Sequence, residues 1–282
     1  MLTLYQEAAS FLEAAQHRLM KQEALNSQIL GIALRLKDNP NSYLEGAPFF
    51  ATWAESGTVT YAALMTPPYG MLVATLGSAL DEPVNAVIES LISGGWPVPS
   101  VNAPAPSSAH FARLWARRTG SSAYVDMRER LFQLNKVIPP IALPSGSMRK
   151  AGESDIPTLA SWIAAFRAES MPNDPPLDAL RTATQRLNTF YLWDDGGPVA
   201  MMANNRSTVH LASVGLVYTP PELRGRGYAT ALVAAGSQAL LDAGHTACVL
   251  FTDLANPISN SIYQKIGYRP IADFEIYRFQ AV

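Results

Sequence analysis

The chain has 282 residues, 48% hydrophobic and 16% charged, with a formal net charge of −2 shared evenly between its halves. That balance suits a globular protein with an ample core, and it excludes the basic footprint of a nucleic-acid binder. Cys248 is the only cysteine, which excludes an internal disulfide framework and multi-cysteine metal sites.

His17, His110, His210 and His245 are scattered without metal-ligand spacing, so no metal is expected. The opening Met1-Leu-Thr-Leu-Tyr-Gln-Glu lacks a basic n-region and a cleavage site, and no apolar run reaches membrane-spanning length. A cytoplasmic protein without membrane or nucleic-acid partners is the expectation, with a homodimer as the one protein partnership anticipated.

Along the first half, Arg113, Arg117 and Arg118 have helical spacing and read as a solvated face. The clearest break follows at Ile138-Pro-Pro-Ile-Ala-Leu-Pro-Ser-Gly-Ser147, where three prolines and a Ser-Gly-Ser tract read as a linker. The expected division is a first domain over 1–137, a linker over 138–146 and a second domain over 147–282.

Beyond the linker, Glu153-Ser-Asp-Ile-Pro157 starts a helix that runs through Trp162 and Phe166, and a second helix is expected from Leu177 to Leu187. Phe190–Trp193, the turn Asp194–Gly197 and Val199–Met202 read as a hairpin. Val209 to Tyr218 is a third strand. A helix follows Arg224-Gly-Arg-Gly-Tyr-Ala229, with Leu232, Ala235, Ala239, Leu240 and Ala243 on one face and Gly244 at its end. Thr246 to Thr252 is an apolar strand in which Cys248 reads as a buried thiol. Pro257 to Ile266 is a short helix capped by Asn256 and closed by Gly267, and Ile271 to Gln280 is a last strand. Interleaved helices and strands make the class α/β, with a mixed sheet that splays after Val217.

The halves also resemble each other. At an offset of 140, Phe50, Trp53, Gly57 and Val59 fall on Phe190, Trp193, Gly197 and Val199; at 147, Gly120, Phe132 and Gln133 fall on Gly267, Phe279 and Gln280. A duplicated fold is the expectation.

The informative segment is Val214-Gly-Leu-Val-Tyr-Thr-Pro-Pro-Glu-Leu-Arg-Gly-Arg-Gly-Tyr-Ala-Thr230. An apolar strand enters a turn with two glycines and two arginines, and a helix opens at once. Backbone N–H groups at a helix start, backed by the helix dipole, form an anion site; glycines permit close approach and arginines add charge-assisted contacts. There is no Gly-Lys-Ser/Thr ending, which argues against a nucleotide triphosphate loop. Thr230 stands where a third glycine would be, which argues against a dinucleotide fold.

This stretch closely resembles the Gcn5-related N-acetyltransferase family, whose signature Arg/Gln-x-x-Gly-x-Gly/Ala is met by Arg224, Gly227 and Ala229. The resemblance implies that Arg224, Gly225, Arg226, Gly227, Tyr228, Ala229 and Thr230 hold the pyrophosphate of acetyl-coenzyme A. Leu250 to Tyr268 is similar to the family's second motif, a strand, an Asn-rich turn and a helix ending in Gly-Tyr/Phe. This implies Asn256 and Asn260 near the pantetheine arm and Tyr263 near the thioester sulfur. The plainer alternatives are a helix cap for Asn256 and a packed aromatic for Tyr263.

The implied reaction is direct attack of a small-molecule amine on the thioester, in tandem acyltransferase-like folds of which the C-terminal one is intact. By resemblance, the Val217 backbone N–H supports the oxyanion and Thr219 binds the pantetheine amides, while the Tyr263 phenol protonates the thiolate. Glu169, His210, Asp253 and ordered water stand as candidates for the base. The first half has no Arg-Gly-Arg-Gly loop between Leu72 and Pro83 and carries Ala116 four residues before Gly120, so it is expected to be degenerate. The competing reading is a non-catalytic acyl-coenzyme A sensor, which an intact Tyr263 disfavours.

Overall fold

The computed structural model describes residues 1–40, 46–78 and 80–280. The chain forms two compact units: unit 1 is Met1–Leu131, Asp253–Ala255 and Ile271–Val282, and unit 2 is Phe132–Thr252 and Asn256–Pro270. The proline-rich linker lies within unit 2. Residues 271–280, assigned to the second half from sequence, belong to unit 1.

In chain order, the first half carries strand β1 (Leu2–Tyr5), helices α1 (Ala8–Met20) and α2 (Ser27–Asp38), and strands β2 (Phe49–Glu55), β3 (Thr58–Met65) and β4 (Met71–Thr75). Then come α3 (Asp81–Ser93), β5 (Ser100–Pro104), α4 (Ala105–Thr119) and β6 (Ser122–Leu134). The second half repeats that order with β7 (Ser147–Lys150), α5 (Ile156–Ser170), α6 (Ala179–Gln185), β8 (Phe190–Asp194), β9 (Pro198–Asn204) and β10 (Leu211–Tyr218). It closes with α7 (Tyr228–Asp242), β11 (Ala247–Asp253), α8 (Pro257–Lys265) and β12 (Arg269–Gln280). The identical succession of elements is the duplication anticipated from the paired aromatic and glycine positions.

In unit 1, β1 to β4 form an antiparallel meander, β4 and β5 pair in parallel, and β12 pairs antiparallel with β5 from Phe274↔Pro104 to Arg278↔Ser100. In unit 2, β7 to β10 are antiparallel and β10 pairs in parallel with β11. Strand alternation sends neighbouring residues to opposite faces, so each sheet has a core on both sides. Phe50 packs with Phe11, Leu30 and Ala33 under α1 and α2, whereas Phe49 and Tyr61 pack with Val87, Ile88 and Phe111 under α3 and α4. In unit 2, Phe190 and Leu192 face Leu159 and Ile163 of α5, and Trp193 faces the α7 side with Leu232 and Tyr268. Each fully buried Phe or Leu contributes roughly 1.5–3 kcal/mol.

The terminal strands obey the same logic. Phe132, near the end of the first half, is buried in unit 2 with Leu232 and Tyr268, while Phe279, near the end of the second, packs in unit 1 against Phe111 and Trp115. The chain leaves unit 1 within β6, rejoins it briefly at Asp253–Ala255 and returns to it within β12.

Three expectations need correction. β10 begins at Leu211 rather than Val209, because Thr208 and Leu211 close a turn through Thr208 N–H to Leu211 O (2.8 Å) and Leu211 N–H to Thr208 Oγ1 (3.2 Å). The buried residues of α7 are Tyr228, Ala231, Leu232, Val233, Ala234, Gly236, Ser237 and Leu240; Ala243 is exposed beside Gly244, whose φ of +104° ends the helix. β10 and β11 are paired only from Leu211↔Ala247 to Ser213↔Val249, so they part four residues before Val217. Among the described residues, no helix is long and apolar enough to cross a membrane.

Candidate coenzyme A and acyl-transfer site

The site begins where β10 leaves the ladder. Gly215 faces Ala203 and Tyr218 faces Met201, so Leu216 and Val217 together stand opposite Met202 alone. This is a β-bulge, and Leu216 carries a left-handed φ of +50°, strained for a residue with a Cβ. Two residues facing one cannot both keep their ladder hydrogen bonds. The bulge therefore disturbs the β9 ladder at Leu216–Val217, and on the other edge of β10 the pairing with β11 has already ended at Ser213↔Val249.

Thr219 follows, its Oγ1 buried without a hydrogen-bond partner. A short 3₁₀ turn, Pro221–Leu223, leads to Arg224, and the chain enters α7 through Gly225 (φ +80°) and Gly227 (φ +85°). Both glycines occupy backbone that L side chains rarely adopt, and the space where their Cβ atoms would stand is open, apart from Pro144 Cδ at 3.9 Å from Gly227. The first helical hydrogen bond recorded here runs from Ala231 N–H to Gly227 O at 3.0 Å. The N–H groups of Tyr228, Ala229 and Thr230 precede any intrahelical acceptor, and no side chain caps them. This is the cradle that a pyrophosphate requires, and the residues present fit it.

Both arginines are engaged locally. Arg224 Nε donates to Thr219 O at 2.9 Å and Nη2 to Glu169 Oε2 at 2.7 Å, with the guanidinium carbon 5.6 Å from the Tyr218 ring centroid. Tyr218 OH donates to the other Glu169 oxygen at 3.3 Å; burial and then the Glu169 carboxylate raise the phenol's pKa, keeping it a donor. Arg226 Nη2 donates to Glu222 O at 3.2 Å.

Asn256 Oδ1 accepts from Ser259 N–H at 3.1 Å, so it is a helix cap, and Asn260 Nδ2 donates to Asn256 O at 2.8 Å. Tyr263 is 8% exposed, its ring packed in the core edge-on to Tyr268 at 5.9 Å. Burial pushes its phenol up to about 12. Cys248 is likewise a buried core thiol, pushed up to about 12 by burial.

Of the base candidates, Glu169 joins the loop through Arg224 and Tyr218. His210 stands at the start of β10, at the far end of the strand from the bulge. Asp253 Oδ1 accepts from Ala255 N–H at 2.8 Å, and both residues belong to unit 1. The Tyr218–Glu169–Arg224 set is what sequence reasoning missed, because Glu169 is fifty-five residues from Arg224 and nothing local pairs them.

The corresponding place in unit 1 is built differently. α3 opens on two acidic residues, Asp81 and Glu82, which oppose an anion at that helix start. Asp81 accepts from His110 Nε2 at 2.6 Å and Arg113 Nη2 at 3.3 Å, both on α4. Ala79 lies outside the described residues.

Residues 195–278 match the FR47-like protein family. No curated protein matches the chain. Among solved structures, a Drosophila protein is similar at 14% identity and a TM-score of 0.70, covering 99% of this chain and 98% of that one. A Gcn5-related N-acetyltransferase from Sphaerobacter thermophilus is similar at 15% identity and a TM-score of 0.60, covering 98% and 95%. A tandem protein of that family from the clavulanic acid biosynthesis pathway is similar at 14% identity and 0.60, covering 99% and 98%. In its fold, and by the match over residues 195–278, the chain resembles the Gcn5-related N-acetyltransferases in their two-domain form.

Proposed function

We propose that unit 2 binds acetyl-coenzyme A and transfers its acetyl group to a small-molecule amine by direct attack on the thioester. The observation that carries this reading is the coupling of the Leu216–Val217 bulge to a glycine-lined, side-chain-free helix start ten residues later. A diphosphate and the pantetheine chain attached to it need those two features at that separation.

Within this reading, Arg224 to Thr230 hold the pyrophosphate through backbone N–H groups and charge. Thr219 offers its buried hydroxyl to a pantetheine amide, and Asn256 and Asn260 flank the arm. The Val217 backbone N–H stabilises charge on the carbonyl oxygen under attack. Tyr263 keeps its proton at neutral pH, as its upward shift requires, and can give a hydrogen bond or a proton to the departing sulfur. Unit 1, with acidic residues at the start of α3 and Ala116 where unit 2 has Tyr263, serves as scaffold.

The test is release of free thiol from acetyl-coenzyme A when a panel of small primary amines is added. Thiol release with at least one amine, together with its N-acetyl product, is expected. Tight coenzyme A binding without acetylation of any amine would favour a sensor instead.

A further inference from the structure

Arg224 is held unusually completely for a surface arginine. Nε and Nη2 are both spent, on Thr219 O at 2.9 Å and Glu169 Oε2 at 2.7 Å, and the guanidinium lies over the Tyr218 ring at 5.6 Å. Glu169 is itself fixed from the other side, since its second oxygen accepts from Tyr218 OH at 3.3 Å. Tyr218 in turn packs against Trp162 of α5, with ring centroids 6.3 Å apart. The side chain of Arg224 is nonetheless half exposed, and Nη1 makes neither of these two hydrogen bonds.

A guanidinium is planar, with its N–H groups in a fixed fork. Once Nε and Nη2 are tied down, the direction of Nη1 is set as well. We propose that Glu169 is a positioning residue for acyl-coenzyme A: it holds Arg224 in a preset orientation with Nη1 left as the donor for the pyrophosphate. The assignment rests on the acyl-coenzyme A reading above. It also takes Glu169 out of the set of candidate bases. As a base, Glu169 would give up the charge that holds Arg224 each time it took the amine proton.

Preorganisation is worth most where the alternative is a long, freely rotating side chain, because ordering is then complete before the ligand arrives. Glu169 comes from the end of α5, so that helix, remote in sequence from the Gly-rich turn, carries part of coenzyme A affinity. Loss of the carboxylate frees Arg224 to sample other rotamers and leaves Tyr218 OH without its acceptor.

The probe is coenzyme A itself, titrated into the full chain. Glu169→Ala is expected to raise Kd about 5–20-fold, the scale of a charge-assisted contact that has lost its alignment. Glu169→Gln keeps an acceptor for Arg224 and should recover most of that loss. The double variant Glu169→Ala/Arg224→Ala should bind no more weakly than Arg224→Ala alone, because Glu169 acts only through Arg224. An unchanged Kd in Glu169→Ala would overturn the proposal and return Glu169 to the base candidates. A lowered Kd would also overturn it, showing that the carboxylate competes with the phosphate. If Glu169→Ala fails to fold, Glu169→Leu takes its place, and additive losses in the double variant Glu169→Leu/Arg224→Ala contradict the proposal. Failure of the wild-type chain to bind coenzyme A would be a different result, sinking the acyl-coenzyme A reading first.

Discussion

Tyr228, the first residue of α7, donates its phenolic hydrogen to Asp195 Oδ2 at 2.7 Å. The start of α7 is thereby fastened to the β8–β9 turn, and Ser145 of the linker donates to the same oxygen at 2.7 Å. Those hydrogen bonds, Ser145's first and then Tyr228's, hold the Asp195 carboxyl below the usual carboxylate range. Tyr228→Phe removes one of them and keeps the ring. Its midpoint of thermal unfolding should fall by about 2–4 °C, and coenzyme A should bind more weakly because the first turn of α7 loses its anchor. Scanning calorimetry with and without coenzyme A checks both; no change in either would mean the contact is ornamental.

Asp155 gives a pH-dependent prediction. It accepts from Arg149 Nη1 at 2.7 Å, Nη2 at 2.9 Å and Gly152 N–H at 2.8 Å, and the Arg149 bonds above all hold its carboxyl below the ordinary value. A depressed folded-state pKa means stability that is present above the unfolded pKa, about 4, and lost as pH falls through the folded one. Asp155→Asn should cost about 1–2 kcal/mol at pH 7, reduced from a fully buried pair because Arg149 is partly exposed. In urea titrations the gap between variant and wild type should shrink as pH drops below about 4. A gap that stays constant from pH 7 to pH 3 would contradict the assignment.

Much of unit 2 was legible in the sequence. The hairpin at Asp194–Gly197, the Gly244 stop and the Asn256 cap are set by residues within a few positions, so local turn and capping chemistry suffices. The site loop was legible for the same reason, since a helix start after two glycines is a local pattern. What could not be read was non-local. Phe274↔Pro104 joins residues far apart in the chain, and nothing in Ile271–Gln280 tells which sheet the strand enters. Leu216 at φ +50° is invisible too, because leucine is a poor marker for a left-handed bulge. Ala243 was misplaced because alanine suits either face of a helix.

Cys248 offers a direct check on the packing of the α7 side of unit 2. Its thiol is pushed up to about 12 by burial and lies 3.6 Å from Ser237 O, with Tyr268 OH and Ser237 Oγ 2.9 Å apart beside it. A thiolate-specific reagent at pH 8 should therefore find no reactive thiol in the native chain and a single one in guanidinium chloride. Rapid native labelling would show that this core opens.

For Tyr263, burial raises the phenol to about 12, so no loss of activity from its ionisation is expected below about pH 11. Tyr263→Phe keeps the ring against Tyr268 and should change stability by less than about 1.5 kcal/mol. As the group that protonates the leaving sulfur, its loss should lower kcat by about 10²–10⁴-fold with coenzyme A affinity nearly intact. A Phe variant that acetylates within a few-fold of wild type would assign Tyr263 to the core alone.

The central claim is that one unit of this duplicated chain, and only one, holds coenzyme A through Arg224 to Thr230. Calorimetric titration of coenzyme A into wild type and Gly227→Asp measures it most directly. Gly227 sits at φ +85° at the start of α7, so aspartate there adds strain, a Cβ in the cradle and a carboxylate facing the phosphate. The account predicts one site per chain in the wild type and none detectable in the variant, with the far-ultraviolet circular dichroism unchanged. Two equivalent sites per chain, no binding to the wild type, or undiminished binding to folded Gly227→Asp would contradict it.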